Sequence, residues 1–197
     1  MSVARPRGRR GQGALLRDDI LAAATRLLDL GGEHRVTLRA VAREAGITAP
    51  SIYPHFPDPP SVLKAAADAG RAELAALLTA SATRSADPRR RLHDACRAYL
   101  DFATTRPGCY RVMSDHPDET APGAPTTGHL AALIAECAAT GRSTSTDPEA
   151  DAVALWLGLH GIAHQRAAHR LFPWPADLVP DLVTALSGTT RRAGPNR

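Results

Sequence analysis

The sequence predicts an all-α protein, with a small N-terminal head of three helices followed by a larger helical body. Apolar residues recur at helical spacing, and β-branched residues do not cluster into the alternating runs that strands require. Of the 197 residues, 44% are apolar, which is enough for a hydrophobic core. Glycines and Asp-Pro pairs separate the periodic segments, as helix ends and helix starts do.

The N-terminal segment contains a basic arm and three predicted helices. Residues 1–13, MSVARPRGRRGQG, lack periodicity and predict a flexible arm. A first helix ends at the glycine pair 31–32, and its apolar face carries Ile20, Ala24, Leu27 and Leu28. Thr37 caps a second helix that ends at Gly46, with an apolar face of Leu38, Val41, Ala42 and Ala45. A third and much shorter helix begins at Thr48, so the head is predicted to span residues 14–59.

Three helices of the body are predicted to start with an Asp cap followed by Pro at the first helical position. The pairs occupy residues 58–59, 87–88 and 147–148. The apolar face of the first helix consists of Val62, Ala66, Ala69, Leu77 and Leu78. The second helix ends at residues 106–107, and its face consists of Leu92, Cys96, Tyr99, Leu100 and Ala103.

The rest of the body is predicted to contain one loop and three helices. Residues 114–127, SDHPDETAPGAPTT, are rich in Pro, Gly and acids and predict a mobile surface loop. A helix follows from about 128 to 140, and the long segment after the third Asp-Pro pair continues as a helix until Pro173 ends it. A last helix runs from about 177 to 186. The body thus spans residues 60–190, and residues 191–197 form a flexible tail.

Charge is distributed unevenly along the chain. The first 57 residues hold nine arginines and five acidic residues, whereas the other 140 hold 15 basic and 15 acidic residues, so the net charge of +4 lies within the first 57 residues. A basic excess confined to one small region predicts a polyanionic partner there.

The three cysteines and the chain start indicate a cellular compartment. Three is an odd number, the cysteines are widely spaced, and neither a disulfide framework nor a thiolate zinc site is indicated. The arginine-rich start lacks the apolar stretch of a signal peptide, and no apolar run approaches the roughly 20 residues of a membrane span. We expect a soluble, cytoplasmic protein.

The stretch AREAGITAPSIYPHFPD, residues 42–58, has the signature of a helix-turn-helix. Ala42 is small where two helices must cross, and Gly46 accepts the left-handed conformation that closes the first helix. The apolar contacts under the crossing come from Val41, Ile47 and Ile52. A core role explains those residues but leaves an outward face unexplained, made of Thr48, Ala49, Pro50, Tyr53 and His55. Pro54 would cost about 3 kcal/mol inside a long helix and less at the end of two turns, where it separates the exposed element from the next helix.

The segment TLRAVAREAGITAPSIYPHFPD resembles the N-terminal motif of the tetracycline-repressor-like (TetR) family of bacterial transcriptional regulators, with the resemblance extending over residues 15–66. It implies double-stranded DNA as the partner. The DNA-binding residues that it implies are Thr37, Arg39, Thr48, Ala49, Pro50, Ser51, Tyr53 and His55. In this set, the resemblance implies phosphate contacts for Thr37 and Thr48, which lie at helix starts, and for Tyr53 and His55. Pro59 stands where the family usually has a lysine, which removes one expected phosphate contact.

Base reading is expected to depend mainly on Arg39, because a guanidinium can bind guanine bidentately in the major groove. Ala49 and Pro50 offer only apolar contact, for instance to a thymine methyl. Tyr53 has an alternative role, in which its ring packs against the following helix. The basic arm also has two possible roles. Its arginines bind DNA, either along the phosphates or in a minor groove, or they belong to a solvated tail. These arginines are Arg5, Arg7, Arg9 and Arg10.

The body segment LWLGLHGIAHQRAAHRLFPWP resembles the Trp-His-Gly signature of one TetR subclass, carried by Trp156, His160 and Gly161. In the family this region binds a small molecule and forms the dimer. The ligand-binding candidates are Tyr99, Phe102, Tyr110, Met113, Trp156 and His160, each with ordinary core packing as the alternative. Gly158 and Gly161 cost about 1 kcal/mol each inside a helix, which indicates the close approach of another helix or a ligand.

Neither a metal nor a cofactor is predicted. His160 and His164 share a helical face at a spacing that zinc sites use, but Gly161 stands where a metalloprotease needs glutamate and no further ligand follows. The sequence has no Ser-His-Asp set, nucleophile elbow, phosphate-binding glycine loop or pair of carboxylates on one helix face. We therefore do not expect an enzyme.

Together with these patterns, the TetR resemblance implies a homodimeric transcriptional repressor that a small-molecule effector releases from a palindromic operator, with half-sites about one helical turn, ~34 Å, apart. Two alternatives stay open at this point. One is a DNA-binding architectural protein without an effector, and the other is a helical enzyme with an incidental helix-turn-helix.

Overall fold

The structure, a computed structural model, describes residues 12–83, 85–116, 123–169 and 171–189. Every regular element in these ranges is helical, which confirms the all-α prediction. The helices are α1 (Gln12–Gly31), α2 (Leu38–Glu44), α3 (Pro59–Ala82), α4 (Pro88–Thr105), α5 (Pro107–Asp115), α6 (Ala124–Ala139), α7 (Pro148–Ala168) and α8 (Leu178–Leu186), with short 3-10 turns at Glu33–Arg35 and Ala49–Ser51. Most of the predicted arm and all of the predicted tail lie outside the described residues, while residues 12 and 13 belong to α1. None of the described helices has the length and hydropathy needed to cross a bilayer.

The Asp-Pro pairs start helices as predicted. The Asp58 carboxylate accepts the backbone N–H of Ser61 at 2.8 Å, ahead of α3. Asp87 accepts the N–H of Arg89 at 3.0 Å and Asp147 accepts that of Ala150 at 3.1 Å. Each carboxylate satisfies one of the N–H groups that a first helical turn leaves without a partner, and each proline fills a position whose N–H is not needed.

The predicted loop at 114–127 is wrong at both ends. Helix α5 continues to Asp115, and α6 already begins at Ala124. Gly123 precedes α6 with a left-handed φ of 66°, and Pro125 lies in the first turn of the helix. A proline there does not break a helix, because the first-turn N–H groups have no intrahelical acceptor. Residues 117–122 lie outside the described ranges.

Two further boundaries differ from the prediction. Helix α5 was not predicted at all, since Pro107 was interpreted only as the stop of α4, although it also starts the next helix. The predicted extension of α7 to Pro173 is also wrong, because α7 ends at Ala168 and His169 is its C-cap.

The described chain divides into two compact units. The first comprises residues 12–69 and 108–116 and contains α1, α2, the start of α3, and α5. Its core consists of Ile20, Ala23, Ala24, Leu27, Leu28, Val36, Val41, Ala42, Ile52, Phe56, Val62, Ala66, Ala67 and Val112. Since Val112 belongs to α5, this small unit is completed by a segment distant in sequence. The division into separate functional domains at residues 14–59 and 60–190 stays a prediction.

The described part of the second unit comprises residues 70–83, 85–107, 123–169 and 171–189, with α4, α6, α7 and α8 packed on one another. The face predicted for α4 is buried, including Cys96 and Tyr99, whereas Leu77 on α3 is exposed. A Cβ at Gly158 would lie 2.9 Å from Leu182 Cδ1, so the close helix approach predicted for this glycine is confirmed, with α8 as the helix. Gly161 has open space instead. Cys96, Cys109 and Cys137 are all buried free thiols.

Candidate nucleic-acid interface and effector residues

Helix α2 begins at Thr37, whose backbone is extended and whose Oγ1 accepts the N–H of Ala40 at 3.2 Å. The hydroxyl therefore caps the helix as predicted. Val41 and Ala42 are fully buried, while Arg39 and Arg43, one turn apart, are exposed. The amphipathic pattern of α2 thus fixes the helix to the core of its unit and keeps two guanidinium groups in solvent.

The turn after α2 is closed by Gly46, which has φ = 68°. The N–H of Gly46 donates to the carbonyl of Arg43 at 3.2 Å, and the N–H of Ile47 donates to the carbonyl of Ala42 at 2.9 Å. This pair of hydrogen bonds is the Schellman arrangement, in which a left-handed residue follows the helix and the last carbonyls gain donors. Glycine meets this conformational requirement without steric cost.

The exposed element of the motif is a short turn and not a full helix. Thr48 precedes the 3-10 turn Ala49–Ser51, and its hydroxyl lies 2.7 Å from that of Ser51. Ile52 and Phe56 are 0% and 2% exposed, and they anchor the turn to the core. Tyr53 lies between these two anchors and is 57% exposed, so its ring does not fill a core position.

Of the eight predicted DNA-binding residues, all in the first unit, five are exposed and three half-buried. The exposed residues are Thr37, Arg39, Thr48, Pro50 and Tyr53, and the half-buried ones are Ala49, Ser51 and His55. Ala49 packs against the core, which leaves Pro50 as the more accessible of the two apolar residues predicted to face bases. The structure places them on α2 and the turn that follows it, and their contacts with DNA stay a prediction.

Two arginines of α1 at this motif were missed by sequence reasoning. The Arg26 guanidinium pairs with the Glu44 carboxylate at 2.8 Å, joining α1 to α2 at a largely exposed site. The Arg17 guanidinium lies over the ring of Phe56, 4.9 Å from the centroid. No pattern within α1 identifies either partner, because both contacts depend on tertiary packing.

Within the second unit, the structure brings three of the predicted ligand-binding residues together. The Tyr99 hydroxyl lies 3.4 Å from His160 Nδ1, and the Trp156 and His160 rings are 5.4 Å apart. Tyr99 is buried, whereas Trp156 and His160 are half-buried on α7. Trp156 also lies against Gly123, where a Cβ would be 2.6 Å from the indole. An aromatic surface that includes the His160 imidazole is therefore present on this face of α7.

Of the other three predicted ligand-binding residues, one belongs to the second unit and two belong to the first. Phe102 is buried on α4 and borders an open groove of about 420 Å³ whose lining includes Glu73, Asp94 and Arg97. Tyr110 and Met113 belong to α5 in the first unit, where Met113 packs against the core. Their role in ligand binding stays a prediction.

The protonation of His160 follows from its surroundings. Burial, followed by the positive charge of neighbouring His164, lowers the pKa of His160 below its ordinary value of 6.5. A neutral imidazole carries one donor and one acceptor, so at neutral pH this ring suits a polar, uncharged group. His164 Nδ1 lies 3.2 Å from the His160 carbonyl, and the two rings are 4.3 Å apart. Within the described ranges, no three His, Cys, Asp or Glu side chains converge as metal ligands do.

Comparisons with known proteins agree on one family. Residues 20–66 match the model described as bacterial regulatory proteins of the tetR family, and residues 92–186 match the model of the tetracyclin repressor-like C-terminal domain. The nucleoid occlusion factor SlmA of Haemophilus influenzae is 31% identical over 85 residues, 43% of this chain and 39% of that protein. SlmA of Pasteurella multocida is 28% identical over 101 residues, 51% of each chain. The chain thus matches about half or less of the length of these relatives.

Solved structures show the same fold. A Rhodococcus sp. RHA1 protein of unknown function superposes with a TM-score of 0.72 at 27% identity, covering 93% of this chain and 95% of that one. A tetR-family regulatory protein from Rhodococcus RHA1 has a TM-score of 0.65 at 21% identity, with 89% and 98% covered. SmeT of Stenotrophomonas maltophilia in complex with triclosan has a TM-score of 0.62 at 19% identity, with 87% and 90% covered. At such identities the last two likenesses concern the fold alone.

Proposed function

The chain belongs to the tetR family of bacterial regulatory proteins and is a DNA-binding transcription regulator; we propose on that premise that it is a homodimeric repressor, released from a palindromic operator by a small molecule. The observation that carries the proposal is the exposed turn from Thr48 to Tyr53, held on the buried side chains of Ile52 and Phe56. In a helix-turn-helix, the exposed second element is the part that enters the major groove. The Trp-His-Gly subclass and a cytoplasmic location are part of the proposal.

The roles at the interface follow from side-chain chemistry. Arg39 reads a guanine edge through its forked donors, and Pro50 offers only apolar contact. The hydroxyl groups of Thr37, Thr48 and Tyr53 donate to phosphates, which fix the register of the protein on the duplex. Sequence preference therefore depends on few residues, and affinity depends on many.

A dimer is supported by an apolar face on α7. Val153 and Leu157 are 45% and 56% exposed, and Gly161, one turn further, has open space around its Cα. Residues spaced by four share one side of a helix. Val153 also borders an open groove of about 580 Å³ against α6, lined there by Thr127, Gly128, Ala131, Ala132 and Ala135. Small residues on α6 and apolar ones on α7 suit an isologous interface with a second copy of the chain.

Leu157→Arg tests the dimer, since a charge at the centre of an apolar interface opposes association. We expect the variant to run as a monomer in analytical ultracentrifugation and to lose affinity for the palindrome, with its helical content kept. Leu171→Arg, at a residue that is 99% exposed, is the matched control. A monomeric parent protein would refute the proposed dimer without affecting the DNA-binding assignment.

The effector proposal rests on Tyr99, Trp156 and His160. An apolar molecule with one hydrogen-bonding group fits such a surface, because the rings provide contact area and the neutral imidazole fixes orientation. SmeT, which has this fold, was solved in complex with triclosan, and this supports ligand binding by such a fold. His160→Ala should keep operator affinity near that of the parent and raise the ligand concentration needed for release. Loss of DNA binding together with a lower melting temperature would instead assign His160 to the core.

The first experiment is to sequence the DNA that the purified protein enriches from random oligonucleotides. A palindrome with half-sites about one helical turn, ~34 Å, apart is the expected result. A screen of small molecules for release of that DNA follows. A second candidate is a DNA-binding architectural protein, which the similarity to nucleoid occlusion factors over part of their length favours. A palindromic footprint that resists every tested compound would support it, whereas turnover by residues 60–197 would support the enzyme alternative.

A further inference from the structure

We propose that Arg17, at the start of α1, binds a DNA phosphate beside the turn that carries Tyr53, an inference that rests on the DNA-binding function. Its guanidinium lies over the Phe56 ring, 4.9 Å from the centroid. Phe56 is 2% exposed and follows Tyr53 by three residues, and its N–H donates to the carbonyl of Ile52 at 2.9 Å. The ring is thus a fixed part of the turn. A cation held over it occupies the border of the predicted interface.

The ring contact orders the cation without neutralising it. Guanidinium groups attract aromatic faces through the ring quadrupole, and the contact leaves the charge in place. It also limits the rotamers of a long side chain before DNA arrives, which lowers the entropy lost on binding. A guanidinium has five N–H donors in a planar fork that matches phosphate geometry. Arg17 therefore has a defined position and N–H donors available to bind an anion.

The surrounding charges also favour an external anion for Arg17. Among the described residues no carboxylate pairs with it, whereas Arg26, on the same helix, is paired with Glu44 at 2.8 Å. Asp18 and Asp19 follow Arg17 in the chain, but helical geometry turns them away by about 100° and about 200°. Arg17 itself is exposed. On α1, then, Arg26 has a carboxylate partner, whereas Arg17 has an aromatic ring and no carboxylate partner within the described ranges.

The test uses salt dependence on a fluorescein-labelled duplex of arbitrary sequence, because a phosphate contact needs no operator. Affinity is measured by anisotropy at several salt concentrations. Arg17→Gln should reduce the slope of log affinity against log salt by about 0.9 per head. Between about 50 and about 200 mM salt, the parent then loses about 3.5-fold more affinity per head than the variant. Arg17→Lys should keep the slope of the parent, since one cation releases one counterion whichever side chain bears it.

Arg97→Gln is the matched control, because it removes the same charge from an exposed arginine of the second unit. It should leave the slope unchanged. An unchanged slope for Arg17→Gln with helical content intact would overturn the proposal, and so would an equal fall in slope for Arg97→Gln, which would mean that net charge alone matters. A parent protein that binds neither this duplex nor any enriched sequence would refute the DNA-binding function first, so the two failures are distinguishable.

Discussion

The carboxylate of Asp29 accepts the backbone N–H of Gly108 at 3.1 Å, across 79 positions of sequence. The same oxygen accepts the N–H of Cys109 at 3.0 Å. Both donors lie in the first turn of α5, where N–H groups have no intrahelical acceptor, so a residue of α1 caps α5. A Cβ at Gly108 would lie 2.0 Å from the Leu28 carbonyl oxygen. The absence of a side chain therefore permits the approach that brings the cap into range.

Gly108→Ala tests this approach. The added methyl group would collide with a backbone carbonyl, which cannot move as a flexible side chain can, so we expect a loss of stability of ~1–3 kcal/mol. Asp29→Ala should cost about 0.5–2 kcal/mol through the lost cap. Urea denaturation followed by circular dichroism measures both. Gly13→Ala is the control, because that helical glycine has open space around it, and equal stabilities for Gly108→Ala and Gly13→Ala would contradict the prediction.

Arg39→Ala should weaken operator binding by ~1–3 kcal/mol and relax the preference at one base pair per half-site, because a bidentate base contact is lost. Tyr53→Phe is the comparison variant, since removal of a phosphate-binding hydroxyl should weaken specific and non-specific DNA alike. Binding to a library of single-base operator variants measures both effects. Uniform weakening by Arg39→Ala would mean that this guanidinium touches only phosphate.

Pro59→Lys should strengthen DNA binding and steepen its salt dependence by close to one counterion per head. Pro59 is the first residue of α3, and the helix keeps its cap because Asp58 Oδ1 bonds the N–H of Ser61 at 2.8 Å. The measurement is the salt slope on operator DNA, with circular dichroism to confirm the fold. Equal slopes for parent and variant would show that this position does not face the DNA backbone.

The lowered pKa of His160 predicts a pH dependence of stability. Burial, then the charge of His164, keeps this imidazole neutral in the folded chain to a pH below its ordinary pKa of 6.5. As the pH falls from 6.5 towards the lowered folded pKa, the unfolded state binds more protons than the folded state, so the free energy of unfolding decreases. His93 and His129 are shifted in the same direction. His160→Gln should therefore reduce this pH dependence without removing it, as thermal melts between neutral and mildly acidic pH can measure. An identical dependence in variant and parent would contradict the assignment.

The sequence by itself determined most of the helices, though not α5, and the exposure of Tyr53 in the motif. Gly46, the Asp-Pro pairs and the Thr37 cap act on backbone groups a few residues away, so their effects can be inferred from the chain order alone. The anchors Ile52 and Phe56 lie four apart, and this spacing also predicts that Tyr53 between them is exposed. The main local error, the loop at 114–127, arose because prolines of a first helical turn resemble those of a loop.

Only the tertiary structure decided which distant residues meet. It places Val112 of α5 in the core of the first unit, sets the Asp29 carboxylate at the start of α5, and lays Arg17 over Phe56. It also brings Tyr99, Trp156 and His160 together within the second unit. Helical periodicity records which side of a helix is apolar but not which helix covers it, because that choice depends on the packing of all the buried side chains together.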